Sequence, residues 1–168
     1  IVVTENLLGS DIFIIKTDII TKAHLHNSLG NTAECDIRLI DCVGYPIDGV
    51  SGRTENGMPR MVRTPWFENE ITFDDAAQIG TKKVIENHST IGLVITSDGT
   101  ISDIPRENYL EAEEKTVNEL KSIGKPFAVV INSKTPMSNQ ARQLKEELET
   151  KYNAPVHVID ILNMDEGD

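Results

Sequence analysis

Three stretches of the chain, IGLVIT at 91–96, FAVVIN at 127–132 and VHVID at 156–160, are short, apolar and rich in Val and Ile. They do not alternate clearly between apolar and polar positions, which is the pattern of strands covered on both faces in a parallel sheet. The segments between them change period. Tyr109, Ala112, Val117, Leu120 and Ile123 share one helical face, and Ala141, Leu144, Leu148 and Tyr152 share another. Asp103 and Pro105 open the first of these helices and Gly124-Lys125-Pro126 stops it, while Glu111 precedes Lys115 by four residues, the favourable order for a side-chain pair. Ser138 is placed to cap the second. A third helix is predicted over 73–88, after Thr72 and the acidic Asp74 and Asp75, with Ala76, Ile79, Val84 and Ile85 turned inward. With a further strand at 36–41, strand and helix alternate four times, which argues for a doubly wound α/β layer with right-handed crossovers.

Upstream of residue 36 the pattern weakens. DIFII at 11–15 and AHLH at 23–26 are candidate edge strands, with NSLGN as the turn before 36–41. The expected organisation is therefore an N-terminal segment, 1–35, and an α/β domain over 36–168, within the 168 residues that suit one domain. The 27 acidic against 16 basic side chains give a formal charge of -11, which argues against nucleic acid and against anionic lipid as partners. No apolar run approaches the ~20 residues that span a bilayer, and the chain reads as cytosolic. Cys35 and Cys42 flank the first strand, and seven extended steps would hold them about 23 Å apart. Disulfide-bonded α-carbons lie about 5.5 Å apart, so two free thiols are expected. The chain begins at Ile1, which fits a piece of a longer protein.

In an open parallel sheet, ligands bind beyond the carboxyl ends of the strands. The residues there are Asp41, Thr96 to Asp98, Asn132 to Lys134, and Asp160. Asp41 and Gly44 make D-x-x-G, in which the carboxylate orders water around magnesium and the glycine brings a backbone N–H to a terminal phosphate. The same four residues also suit a strand-end aspartate capping a turn. The loop over 45–70 holds six Gly and Pro residues together with Arg53, Arg60 and Arg63, which are either solvated surface charge or within reach of a phosphate. INSKTP at 131–136 stands where guanine-specific enzymes carry N-K-x-D. Asn132 fits, Ser133 replaces the lysine, and Thr135 replaces the aspartate that would accept two guanine hydrogen bonds. Losing a charge-assisted hydrogen bond costs about 1.5–3 kcal/mol, so guanine selectivity is not expected. Asn132 alone is equally suited to closing a turn. G-x-x-x-x-G-K-[ST] does not occur; GSDIFIIKT at 9–17 has six residues between glycine and lysine and a β-branched run that suits a strand. His88 suits a helix C-terminus, and the histidines and cysteines lack metal-site spacing.

The run IRLIDCVGY, followed by NGMPRMVRTPWF and by AAQIGTKKVIENHSTIGLVITSDGTISDIPRENYLEAEEKTVNELKSIGKPFAVVINS, resembles the nucleotide-binding domain of the stage IV sporulation protein A family, with the likeness extending over about 36–160. The resemblance implies an α/β, three-layer, mainly parallel sheet of the P-loop NTPase type, incomplete at its N-terminal side. It implies an ATPase using ATP and Mg2+ that polymerises on the mother-cell face of the forespore surface as the basement layer of the endospore coat. A small amphipathic membrane-associated peptide and other coat proteins are the implied partners. Asp41 carries over as the catalytic Walker B aspartate, holding Mg2+ through water, and Gly44 as its phosphate-sensing partner. Asn132, Ser133 and Lys134 carry over as the nucleotide-binding loop, and Tyr45 takes the position of a water-orienting glutamine. No residue of the chain inherits the Walker A lysine and hydroxyl, and Thr17 is a weak match to the family's paired threonines. The alternative expectation is a non-catalytic assembly module that has lost nucleotide binding; a guanine-nucleotide switch is disfavoured by Thr135. A segment lacking the sheet's central strand would expose apolar edges, so marginal stability or self-association is expected unless DIFII fills the gap.

Overall fold

The structure, a computed structural model, describes residues 15–26 as backbone and residues 32–164. Its first unit is an antiparallel hairpin of β1 (Ile15–His26) and β2 (Thr32–Cys42), in register from His26 opposite Thr32 to Ile15 opposite Cys42, with a slip between Thr17 and Ile19. AHLH at 23–26 thus lies in β1, whereas residues 11–14 of DIFII and the expected turn at 27–31 lie outside the described residues. Strand β2 begins four residues before the expected start. Its partner is β1, and among the described residues it is not hydrogen-bonded to the parallel sheet.

That sheet consists of β7 (Gly92–Ser97), β8 (Phe127–Asn132) and β9 (Val156–Ile159), all parallel and in spatial order 7-8-9. Its connections are α2 (Leu110–Ser122) and α3 (Asn139–Tyr152), so the α/β class and the positions of these elements follow the apolar periods closely. Val94, Val129, Ile131 and Val156 from the strands meet Val117, Leu120, Leu148 and Tyr152 from the helices in one core. Helix and sheet approach closely at Gly92, where an added methyl group would lie 2.7 Å from a terminal carbon of the fully buried Leu120. The cap of α3 is Ser138, whose hydroxyl accepts from the Ala141 N–H at 3.1 Å. A 3-10 turn over Arg106–Tyr109, preceded by Pro105, leads into α2, and Gly124 at φ +66° follows it.

The predicted helix over 73–88 is two elements: α1 (Phe73–Lys83), capped by Thr72, and a π-helical turn (Val84–His88). Lys125 explains how that turn is held. Its ammonium donates to the carbonyl of Ile85 and lies 3.4 Å from the Ser89 hydroxyl, satisfying groups that a helix end leaves open. The expected Glu111–Lys115 pair gives way to other partners. Lys115 donates to Gln78 Oε1 of α1 at 2.7 Å and lies 4.4 Å from the centre of the Tyr45 ring.

The loop over 45–70 is built rather than slack. Strands β3 (Thr54–Glu55) and β4 (Met58–Pro59) form one small hairpin, and β5 (Met61–Val62) pairs antiparallel with β6 (Ile71–Thr72). Val62, Phe73 and Ala76 bury a second, smaller core against Val43, Trp66 and Ile71. This core ties Val43, the residue after β2, to α1.

Candidate nucleotide-binding site

Asp41 and Cys42 finish β2, and the chain turns at Gly44, whose φ of +78° lies in the left-handed region that favours glycine. Asp41 is half-buried, and its Oδ1 is buried without a hydrogen-bond partner among the described residues. A carboxylate oxygen withdrawn from water and left unpaired is costly, so the arrangement asks for a ligand that supplies a donor or a cation. Cys42 is a free, buried thiol. Burial pushes it up from its ordinary range, against the Gly44 N–H and the Thr81 hydroxyl, which pull the other way.

Beyond Gly44 the chain is held at several points. The Tyr45 hydroxyl donates to Glu119 of α2, and the residue is 5% exposed. Burial, then Glu119, push this phenol well above its usual range. The Asp48 carbonyl accepts from Asn108 Nδ2 at 2.8 Å. Arg53 donates to both oxygens of Asp74 at the start of α1, with Nη2 to Oδ2 at 2.6 Å, and also to the Ile47 carbonyl. Asp74 raises the Arg53 guanidinium further. Arg63 forms an exposed pair with Glu70. Arg53 is thus a clip for the loop, and Tyr45 is buried with its hydroxyl committed to Glu119.

Asn132, Ser133 and Lys134 lie together at the carboxyl end of β8. Asn132 Oδ1 accepts from the Ile161 N–H at 3.1 Å, bridging to the chain that follows β9. Ser133 is fully buried and its hydroxyl accepts from the Thr135 N–H, so it shapes the loop. The Lys134 N–H donates to the Thr100 hydroxyl, which itself donates to Asp98, tying the ends of β7 and β8 together. The Lys134 and Thr135 side chains are exposed. Asp160 is committed to its own turn through Leu162, Asn163 and the Asn163 amide. No hydrogen bond or ion pair among the described residues joins the Asp41 turn to the Asn132 group, and none of these residues belongs to a cluster of three or more His, Cys, Asp or Glu side chains.

A buried polar network that the apolar periods do not announce lies under the end of β7. Arg106 Nη1 donates to Thr96 Oγ1 at 2.8 Å and to the Ser97 carbonyl, and stands 2.6 Å from Glu113 Oε2. The other oxygen of Glu113 accepts from the Tyr152 hydroxyl at 2.7 Å. Burial alone would raise the Glu113 carboxyl, but Arg106, Tyr152 and Thr96 outweigh it and hold it below the ordinary value. The available signal was position: Glu113 and Thr116 fall four and seven residues after Tyr109, on the inward stripe, where a charged residue has to be paired.

The model of the stage IV sporulation protein A ATPase domain matches residues 5–168. The chain belongs to the stage IV sporulation protein A ATPase-domain family. It is 50% identical over 135 residues to stage IV sporulation protein A of Bacillus anthracis, a match covering 80% of this chain and 27% of that protein. It is 42% identical over 164 residues to the protein of the same name from Bacillus subtilis (strain 168), covering 98% of this chain and 33% of that protein. For the Clostridioides difficile (strain 630) protein it is 41% identical over 160 residues, covering 95% and 33%. The chain therefore spans about a third or less of the curated relatives it matches. No solved structure matches it. Among the described residues no helix is long and apolar enough to cross a membrane.

Proposed function

We propose that this chain is the nucleotide-handling part of a sporulation ATPase, binding and hydrolysing ATP with Mg2+. Its longer parent would use that hydrolysis to polymerise on the mother-cell face of the forespore as the basement layer of the spore coat. A membrane-associated amphipathic peptide and other coat proteins are the partners proposed with it. The observation that carries the reading is the buried Oδ1 of Asp41, unpaired among the described residues, three residues before a left-handed glycine, in a chain whose family is that of an ATPase domain.

Asp41 would hold Mg2+ through water, and these residues fit the ion because the carboxylate has spare acceptor capacity where it ends the strand. When bound, Mg2+ neutralises charge on the phosphate oxygens. Gly44 permits close backbone approach to a terminal phosphate. Asn132 and Lys134 bound the base end of the site, with Ser133 holding their loop in shape. Thr135 offers a neutral hydroxyl where a guanine-binding aspartate would stand, which supports ATP over GTP. The backbone cradle for the phosphates is assigned to residues outside these 168, since G-x-x-x-x-G-K-[ST] does not occur among them.

Phosphate release by the full-length protein tests this. Turnover of ATP in large excess over GTP, falling by about 10²-fold in Asp41→Ala, is the expected result. No turnover and no nucleotide binding in the full-length protein would instead support a purely structural assembly module.

A further inference from the structure

Tyr45 follows the Asp41–Gly44 turn directly, and two contacts hold its side chain. The hydroxyl donates to Glu119 in α2. The ring lies under the Lys115 ammonium at 4.4 Å. Lys115 in turn donates to Gln78 Oε1 in α1, so one aromatic side chain joins the end of β2 to two helices. Tyr45 and Ile47 also cover a small cleft of about 20 Å³ against Thr96, Tyr109 and Glu113, room for about one water. The following residues are tied separately, through Asn108 to the Asp48 carbonyl and Arg53 to the Ile47 carbonyl. Gly44 has no side chain of its own to hold it. Its N–H lies in the peptide plane shared with Val43 and its carbonyl in the plane shared with Tyr45, so a fixed Tyr45 limits the turn from that side.

We propose that Tyr45 is a positioning residue for ATP hydrolysis: its bond to Glu119 and its place under Lys115 fix the Gly44 backbone at the orientation in which it meets the terminal phosphate. This deepens the ATPase reading and rests on it. The phenol itself, committed to Glu119, does not touch the nucleotide. It acts through Gly44, by denying the turn other conformations.

The test uses the full-length protein and four variants. Tyr45→Phe keeps the ring and its contact with Lys115 but removes the donor. Glu119→Ala removes the acceptor, Glu119→Gln keeps a neutral one, and Tyr45→Phe/Glu119→Ala removes both. The expected result is a fall in kcat of about fivefold in Tyr45→Phe and Glu119→Ala with KM for ATP unchanged, no further loss in the double variant, and near wild-type kcat in Glu119→Gln. Amide exchange without nucleotide is read in parallel. Residues 44–50 should exchange faster in Tyr45→Phe while residues 129–131 of β8 do not change. Unchanged exchange at 44–50 would overturn the anchor whether or not the protein hydrolyses ATP. Faster exchange with unchanged kcat, or additive losses in the double variant, would overturn the positioning role. Wild-type protein without Asp41-dependent turnover would overturn the ATPase reading and the positioning role with it, and the exchange data would still decide whether the anchor exists.

Discussion

Asp41, Thr135 and Glu113 each carry a different kind of consequence. Thr135 is exposed in the loop proposed to meet the base, so a carboxylate can be introduced there without repacking. Thr135→Asp in the full-length protein should raise the affinity for GTP relative to ATP by about tenfold or more, read by competition binding; an unchanged ratio would remove the base from this loop. Glu113 is a matter of stability. Its side chain is 1% exposed and its partner Arg106 17%, so Glu113→Ala leaves a largely buried cation and should cost about 3–5 kcal/mol in urea unfolding. Because the folded carboxyl lies below its ordinary 4.5, the group contributes stability that is complete above that value and is lost as pH falls through the folded value. Glu113→Gln should therefore be less stable than wild type near pH 7 and should show a shallower fall in unfolding midpoint on acidification below pH 4.5. A parallel acid limb would mean that Glu113 does not titrate as described.

The elements were legible where one local rule decides them. FAVVIN is β8 residue for residue, Ser138 caps α3, and Thr72 caps α1, because a β-branched run or a hydroxyl before a helix is recognised from its immediate neighbours. Ser138→Ala should cost about 1 kcal/mol, measurable as a shift in unfolding midpoint. What escaped the sequence depends on distant partners. Lys115 looked like half of an i,i+4 pair with Glu111, yet it bonds Gln78, 37 residues away, because the neighbouring helix offers a less exposed acceptor. Arg53 looked like solvated charge and is instead the clip that folds the 45–70 loop onto α1. At the candidate site, Asp41 and Gly44 could be named from four residues, but the inward direction of Tyr45 needed the position of Glu119, 74 residues on. Arg53→Ala should open the loop to limited proteolysis at 48–57 while leaving α3 intact.

Taken as a whole, the described chain has its parallel sheet and its hairpin in separate hydrogen-bonded units, and the larger core belongs to β7, β8, β9, α2 and α3. Neither core includes a residue of β2, and Leu39 within it is 50% exposed. Native-state hydrogen exchange should accordingly be slowest at 129–131 and faster along 36–41; equal protection would show that the two units open together. The functional account depends on Asp41 meeting the nucleotide's metal ion rather than merely ending a strand. Calorimetric titration of the full-length protein and its Asp41→Asn variant with ATP, with and without Mg2+, addresses this. The account predicts that Asp41→Asn weakens Mg2+·ATP binding by about tenfold or more and leaves metal-free ATP binding unchanged. Equal affinity for Mg2+·ATP in the two proteins, or an equal loss with and without the ion, would contradict it.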